Sequence, residues 1–135
     1  DANTTEVDPK TTHPVIDVME GQKEKIFTKN MGGTMRLGAY RCRIEPHTIA
    51  AGAYGVREVK ERHRHRYEFN DEFKAPMAAG GMIISGTNPE SGLAEIMELK
   101  GHPFFVGTQF HPEFTSRPLS PHPLFREFIR AAIKE

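Results

Sequence analysis

Apolar residues in this 135-residue chain come in short runs divided by polar or glycine-rich stretches, and the spacing within each run predicts its element. Residues 14–19 (PVIDVM) suit a strand, and the charged stretch 20–30 after it reads as a loop. A second strand opens at 32–38 (GGTMRLG) and then alternates, with Tyr40, Cys42 and Ile44 on one face and Arg41 and Arg43 on the other. Residues 47–55 read as a short helix or turn, Val56 and Val59 lead into a polar strand at 62–69, and 70–79 is a short helix ended by Gly80-Gly81. Strand patterning returns at 82–85 and 93–99, and the turn residues of 88–92 (NPESG) make that pair an antiparallel hairpin. Residues 101–110 form a further buried strand, with Phe104, Phe105 and Val106 in its core and Pro112 stopping it. Leu124, Phe125, Phe128, Ile129, Ala132 and Ile133 fall on one helical face, which predicts a closing amphipathic helix packed on the sheet. The six Met and nine Phe are most simply core. The fold class is α/β, a mixed sheet with flanking helices and a C-terminal helix.

Eighteen basic residues balance eighteen acidic ones, so the summed field offers no general attraction for nucleic acid or an anionic membrane. No apolar run approaches a bilayer span, and a single Cys excludes an intrachain disulfide framework and fits a reducing, cytoplasmic setting. The length is one domain's worth. Without an initiator Met or a cleavable signal at its start, the chain is expected to be the C-terminal part of something longer.

The most chemically suggestive stretch is 109–114 (QFHPEF), which sets an imidazole two residues before a carboxylate at the end of an apolar run. In open α/β sheets the C-terminal edge of a strand is where ligands bind, and a His there, held by a carboxylate, can act as general base toward a thiol or hydroxyl. His111 and Glu113 are therefore two thirds of a triad. Cys42 is the only cysteine, and it lies in an alternating segment with no strand-to-helix turn to expose it. Arg41 and Arg43 would favour its thiolate, but such a Cys more often points into a core.

A second cluster is ERHRHRYE at 61–68, where strand alternation puts Arg62, Arg64 and Arg66 on one face and His63, His65 and Tyr67 on the other. A guanidinium there could hold a carboxylate in a bidentate pair. A metal on His63 and His65 would need a third ligand and would be repelled by the flanking arginines, so no metal is expected. A solvated, salt-bridged strand is the plain alternative. His13, His47, His102 and His122 each adjoin a proline, which suggests loop positions with surface or capping roles.

Thr4-Thr5-Glu6, GGTMRLG at 32–38, ERHRHRYE at 61–68 and FHPEFTS at 110–116, in this order and spacing, resemble the C-terminal portion of the glutamine amidotransferase domain of the CTP synthase family. The resemblance covers essentially the whole chain. FHPE alone indicates a class I glutamine amidotransferase, whereas GGTMRLG together with ERHRHRYE points to the CTP synthase branch. The resemblance implies part of a flavodoxin-like amidotransferase fold and a Cys-His-Glu glutaminase. Its ammonia would serve an upstream synthase domain that aminates an ATP-phosphorylated UTP. ATP and Mg would belong to that domain, with no cofactor on this segment.

By the same resemblance His111 activates the nucleophile and Glu113 orients and stabilises its imidazolium. Arg66 would bind the glutamine α-carboxylate, Glu6 the α-ammonium, and the Tyr67 backbone would line the pocket. GTP is the family's effector, and Thr34 and Arg36 are the residues that would couple it, although Gly32-Gly33 also serves as a plain loop-to-strand connection. The full-length protein would be a homotetramer, assembled mainly through the synthase domain. The nucleophile elbow and the oxyanion-hole glycines belong upstream of Asp1, so the chain alone is expected not to hydrolyse glutamine. Two other readings stay open: a glutamine-binding or regulatory module without a nucleophile, and a structural domain in which His111 and Glu113 are a hydrogen-bonded strand end.

Overall fold

Strand β3 (Arg36–Ile44) carries the alternation anticipated for it, with Cys42 and Ile44 buried and Arg41 and Arg43 exposed, and the rest of the fold is arranged about its two faces. A computed structural model describes residues 1–18 and 35–133. The expected loop at 20–30 and Thr34 lie outside those residues. Strand β4 (Glu58–His65) pairs antiparallel with β3 along almost its whole length. Strands β6 (Met82–Thr87), β7 (Ala94–Leu99) and β8 (Val106–Thr108) complete a five-stranded sheet of order β4-β3-β6-β7-β8. All its pairings are antiparallel, and β6 and β7 form the expected hairpin. Asn88 shapes its turn, Oδ1 accepting from the N–H groups of Glu90 and Ser91 at 3.0 and 2.8 Å.

A smaller sheet joins β1 (Asn3–Thr4), β2 (Pro14–Val18) and β5 (Tyr67–Phe69), with β1 parallel and β5 antiparallel to β2. The polar run 62–69 is thus not one strand. It breaks at Arg66, where the chain passes from the large sheet to the small one. The expected strand at 101–110 shortens to β8, and Phe105 is 49% exposed, because only Val106–Thr108 finds a partner on β7.

Helix α1 (Ile49–Tyr54) is capped by Thr48, whose hydroxyl accepts from Ala51 N–H at 3.0 Å, and by the buried Glu98 carboxylate, which accepts from Ile49 and Ala50 N–H at 2.8 and 3.1 Å. Helix α2 (Lys74–Ala79) follows the 3-10 turn Asp71–Phe73. Helix α3 (Pro123–Ala132) lies against α1. Cys42, Ile44, Ala50, Ala53, Ile96, Phe110 and Leu124 form the core between the five-stranded sheet and α1 and α3.

The closing helix is amphipathic as expected, yet only Leu124 is buried among its described residues. Phe128 and Ile129 are 51% and 57% exposed, so three of the phenylalanines (105, 125 and 128) lie at the surface rather than in the core. Phe104, Phe105, Val106, Leu124, Phe125 and Phe128 line an apolar groove of about 380 Å³ between β8 and α3.

Candidate active site

Backbone contacts place His111 before its side chain acts. Phe110 is anchored in the core, Thr108 Oγ1 donates to the Phe110 carbonyl at 3.0 Å, and His111 N–H donates to the Arg62 carbonyl of β4 at 2.9 Å. Pro112 opens the 3-10 turn Pro112–Phe114, where a missing N–H costs nothing, and the turn brings Glu113 back to the imidazole. His111 Nδ1 lies 2.7 Å from Glu113 Oε1, and the ring stacks on Phe114 with centroids 5.0 Å apart.

A carboxylate only accepts, so Nδ1 carries the hydrogen and Nε2 is the basic atom. Burial opposes the Glu113 charge, but the His111 hydrogen bond and a backbone N–H outweigh it and hold this carboxyl below its ordinary range. The pair is reachable from solvent. The strand-edge rule for parallel sheets is not what positions it, because β8 is antiparallel and ends before His111.

Arg66 occupies the break between β4 and β5, off the ladder that carries Arg62 and Arg64. The expected face of three arginines is therefore two exposed arginines, and the third turns elsewhere. Arg66 Nε is buried without a hydrogen-bond partner among the described residues. Glu6 is exposed in the turn after β1, its N–H donating to Thr4 Oγ1 at 3.2 Å. The register sets Thr4 beside Ile16 and Val18 beside Tyr67, so Glu6 and Tyr67 lie at the same end of the small sheet. Arg66 and Tyr67 thus follow the C-terminal end of β4, Glu6 lies at the Tyr67 end of the small sheet, and His111 is tied to β4 at Arg62.

Cys42 is 1% exposed, and burial first, then the Glu95 and Glu61 carboxylates, push its thiol up to about 12. It packs in the core, as the alternation suggested.

Arg36 is buried. Its Nη2 donates to Glu95 Oε1 at 2.6 Å, and its Nη1 lies 3.3 Å from Glu68 Oε2. Beside it, His63 Nδ1 and His65 Nε2 are 2.7 Å apart, and His65 Nδ1 is 2.9 Å from the Tyr67 carbonyl. His63 Nε2 lies 3.3 Å from Glu95 Oε2. Burial first, then the Arg36 charge, pull His63 down to about 3 and His65 to about 4, against a partly offsetting bond from His65 to Tyr67. Burial raises the Glu68 carboxyl to about 7 despite Arg36, and raises Glu95 as well.

The sequence reading missed Glu95 and Glu68. The available signal for Glu95 was that the apolar run 93–99 carries two acidic residues, Glu95 and Glu98, both of them buried. Of the two roles expected for His122, surface or capping, the structure selects the cap: His122 is the N-cap of α3 and only 4% exposed. Its Nδ1 caps α3 by accepting from Leu124 N–H at 3.2 Å, and its Nε2 lies 2.9 Å from Glu61 Oε1, which also accepts from Tyr54 OH at 2.7 Å.

A match to the family described as glutamine amidotransferase class-I covers residues 10–131. The chain is 58% identical over 133 residues to a CTP synthase of Methanothermobacter thermautotrophicus, aligning 98% of itself with 24% of that protein. It is 57% identical over 132 residues to a CTP synthase of Rubrobacter xylanophilus, aligning 98% of itself with 23% of that protein. It therefore spans about a quarter of the length of these relatives. A solved structure described as the Trypanosoma brucei CTPS glutaminase domain with bound acivicin matches all of this chain with a TM-score of 0.84 at 36% identity, over 52% of that structure's chain.

Proposed function

We propose a function from a premise that the family match establishes: this chain belongs to the class I glutamine amidotransferases. The reading is that it carries the base half of a glutaminase centre which, in the longer protein, supplies ammonia for the ATP-dependent amination of UTP to CTP, a step of pyrimidine nucleotide biosynthesis. The observation that carries it is the 2.7 Å contact of His111 Nδ1 with Glu113 Oε1, which leaves Nε2 as an accessible base.

Nε2 takes a thiol proton as the sulfur attacks the glutamine amide carbon, and Glu113 stabilises the imidazolium. The imidazolium then returns the proton to the departing nitrogen as the C–N bond breaks and a thioester forms. Water, deprotonated by the same Nε2, hydrolyses the thioester. Cys42 does not serve as the nucleophile, being buried with its thiol pushed up to about 12. The sulfur and the oxyanion donors come from outside these residues, and the chain alone is inactive.

Arg66, Glu6 and the Tyr67 backbone bind glutamine in this reading. A buried Arg66 Nε without a partner among the described residues is a costly arrangement that a substrate carboxylate relieves. The bound acivicin of the Trypanosoma relative, a glutamine analogue, supports the same substrate class. The upstream half of the amidotransferase domain covers the apolar groove beside β8, whose outer edge is open to another strand.

ATP and Mg act on the synthase domain. Among the described residues no cluster of three or more His, Cys, Asp or Glu would hold a metal. GTP acts as effector through Thr34 and Arg36. Since Arg36 is committed to Glu95 and Glu68, its part is to brace the interior and not to touch the nucleotide. In this reading the whole protein works as a cytoplasmic homotetramer. No described helix is long and apolar enough to cross a membrane, which says nothing of a β-barrel.

The test is glutamate release by the full-length protein. His111→Ala should lower it by about 10²–10⁴-fold, with stability changed by less than about 0.5 kcal/mol. Turnover that survives His111→Ala, or turnover by the isolated chain, would sink the reading. A full-length protein that binds glutamine but takes no thiol-reactive analogue would favour a binding module.

A further inference from the structure

The buried chain of contacts from Glu95 through His63 and His65 to Tyr67 is one hydrogen short when its members are counted in their ordinary states. Its far end is the Tyr67 carbonyl, which only accepts, so His65 Nδ1 at 2.9 Å must carry a hydrogen. That nitrogen also faces Glu68 Oε1, a second acceptor, at 3.5 Å. His63 Nδ1 and His65 Nε2, 2.7 Å apart, need one hydrogen between them. His63 Nε2 and Glu95 Oε2, 3.3 Å apart and each buried without a hydrogen bond among the described residues, need another. The three links require three hydrogens. Two neutral imidazoles supply two, and an ionised carboxylate supplies none.

Charge leads to the same count by a separate route. Arg36 contributes one positive charge to this buried cluster, and Glu68 and Glu95 contribute two negative ones. One added proton makes the cluster neutral, which is the state a low-dielectric interior favours.

We propose that Glu95, His63 and His65 form a buried proton site that keeps one proton beyond those of two neutral imidazoles, and that this proton braces the Tyr67 carbonyl and the Arg66-Tyr67 turn of the glutamine subsite. The bracing half rests on the glutamine reading given above, whereas the proton site does not. Every element packed on the site bears on where the proton resides. From β3 come the Arg36 guanidinium, the Tyr40 ring edge-on to His63 and the Cys42 thiol, from β5 comes Glu68, and His111 lies within electrostatic reach of both imidazoles. A cation beside the buried His63 and the half-buried His65 disfavours either imidazolium, in keeping with their depressed titration, and burial favours the neutral carboxyl of Glu95. The proton therefore sits on Glu95 Oε2 and points to His63 Nε2, and all three hydrogens point from Glu95 toward Tyr67.

Glu95, His63 and His65 are then positioning residues, acting on substrate through the turn. Losing the proton at alkaline pH sets two lone pairs face to face at the head of the chain. Glu95→Gln removes the titration and keeps the donor, its oxygen accepting from Arg36 and its NH₂ donating to His63 Nε2. Glu95→Ala removes both.

The experiment uses the full-length protein and two readouts. In infrared difference spectra, the C=O band of a protonated carboxyl should be present in wild type at neutral pH and absent in Glu95→Gln. In glutaminase assays across pH, the wild-type KM for glutamine should rise at alkaline pH by about tenfold, with kcat nearly constant. Glu95→Gln should hold its KM level over the same range, and Glu95→Ala should show the raised KM throughout. If Glu95→Ala does not fold, the contrast between wild type and Glu95→Gln carries both readouts. A wild-type spectrum without the band, or a band untouched by Glu95→Gln, overturns the proton site. A Glu95→Gln KM that follows the wild-type pH curve overturns the bracing. The band in a protein that does not turn over glutamine overturns the glutaminase reading and the bracing together, and upholds the proton site.

Discussion

The inward face of the β3–β4 pair changes character halfway along its length. At one end Cys42 is paired with Val59, with Ile44 beyond, and at the other Gly38 is paired with His63 and Arg36 with His65. One alternating pattern builds both ends, and both are buried. The apolar end excludes water by close approach: a Cβ on Gly86 would lie 2.6 Å from Ile96 Cγ1 and 2.7 Å from Cys42 Sγ. The polar end is held by donors and acceptors that must agree in number and direction. An apolar seal tolerates swaps of similar volume, whereas a directional network fails when one donor is lost. The end held by direction is the one from which the Arg66-Tyr67 turn is suspended.

The largest stability effect should come from breaking the polar end. Arg36→Met removes the only described guanidinium that reaches both Glu68 and Glu95, takes one donor from Glu95 and leaves the buried Glu68 charge without its partner. The expected loss is about 3–5 kcal/mol by denaturant titration. A loss below about 1 kcal/mol would mean that Glu68 takes up a proton without consequence, and the two ends would then differ less than their chemistry suggests. Gly86→Ala breaks the other end by overfilling it, at about 1–3 kcal/mol, because Ile96 and Cys42 must shift. Full stability in that variant would show a looser apolar seal than the contacts imply.

This contrast also explains what was legible in the sequence. Period-two alternation at 40–44 identified the inward face, and turn residues at 88–92 identified the hairpin, because both signals are local. His111 and Glu113 were legible because a two-residue spacing across a proline closes their contact within one turn. The partners of Arg36 were not, since Glu68 and Glu95 come from separate strands and only strand order joins them. The breadth of the apolar stripe on α3 announced a buried helix, whereas Phe125, Phe128 and Ile129 are exposed, because a helical stripe reports which residues share a face and not what covers it. A capping role for His122 was legible from its adjoining prolines, but its burial was not, because Glu61 and Tyr54, which meet the ring from inside, come from other elements.

A smaller effect should appear as a change of slope with pH. An unfolded imidazole titrates near 6.5, and His65 in the fold near 4. Between those values the unfolded chain binds more protons, so this group's penalty sets in as pH falls below 6.5 and is complete below about 4. Glu68 has the opposite sign, since its folded value of about 7 lies above the ordinary 4.5 and its contribution is lost as pH rises through that window. Denaturation midpoints across the window should therefore flatten on the acid side in His65→Gln and rise more steeply with pH in Glu68→Gln. Variants that shift the slope in the same direction would show that the two groups titrate as one unit and not as opposed members of the polar end.

The smallest effect should come from Arg41, which lies on β3 between Tyr40 and Cys42 but on the outward face. It makes two 2.8 Å bonds to Glu58 and one of 2.8 Å to Glu90, so like Arg36 it bridges two carboxylates. Its environment differs: all three side chains are well exposed, so water competes for every charge and salt screens the pair. Arg41→Gln should leave the glutamine KM untouched and move the denaturation midpoint least of these variants, by an amount that added salt erases. A salt-resistant loss comparable to that of Arg36→Met would mean that the number of ion-pair contacts matters more than their burial. The distinction between the faces of β3, and with it the argument that a buried proton governs the polar end, would then lose its physical basis.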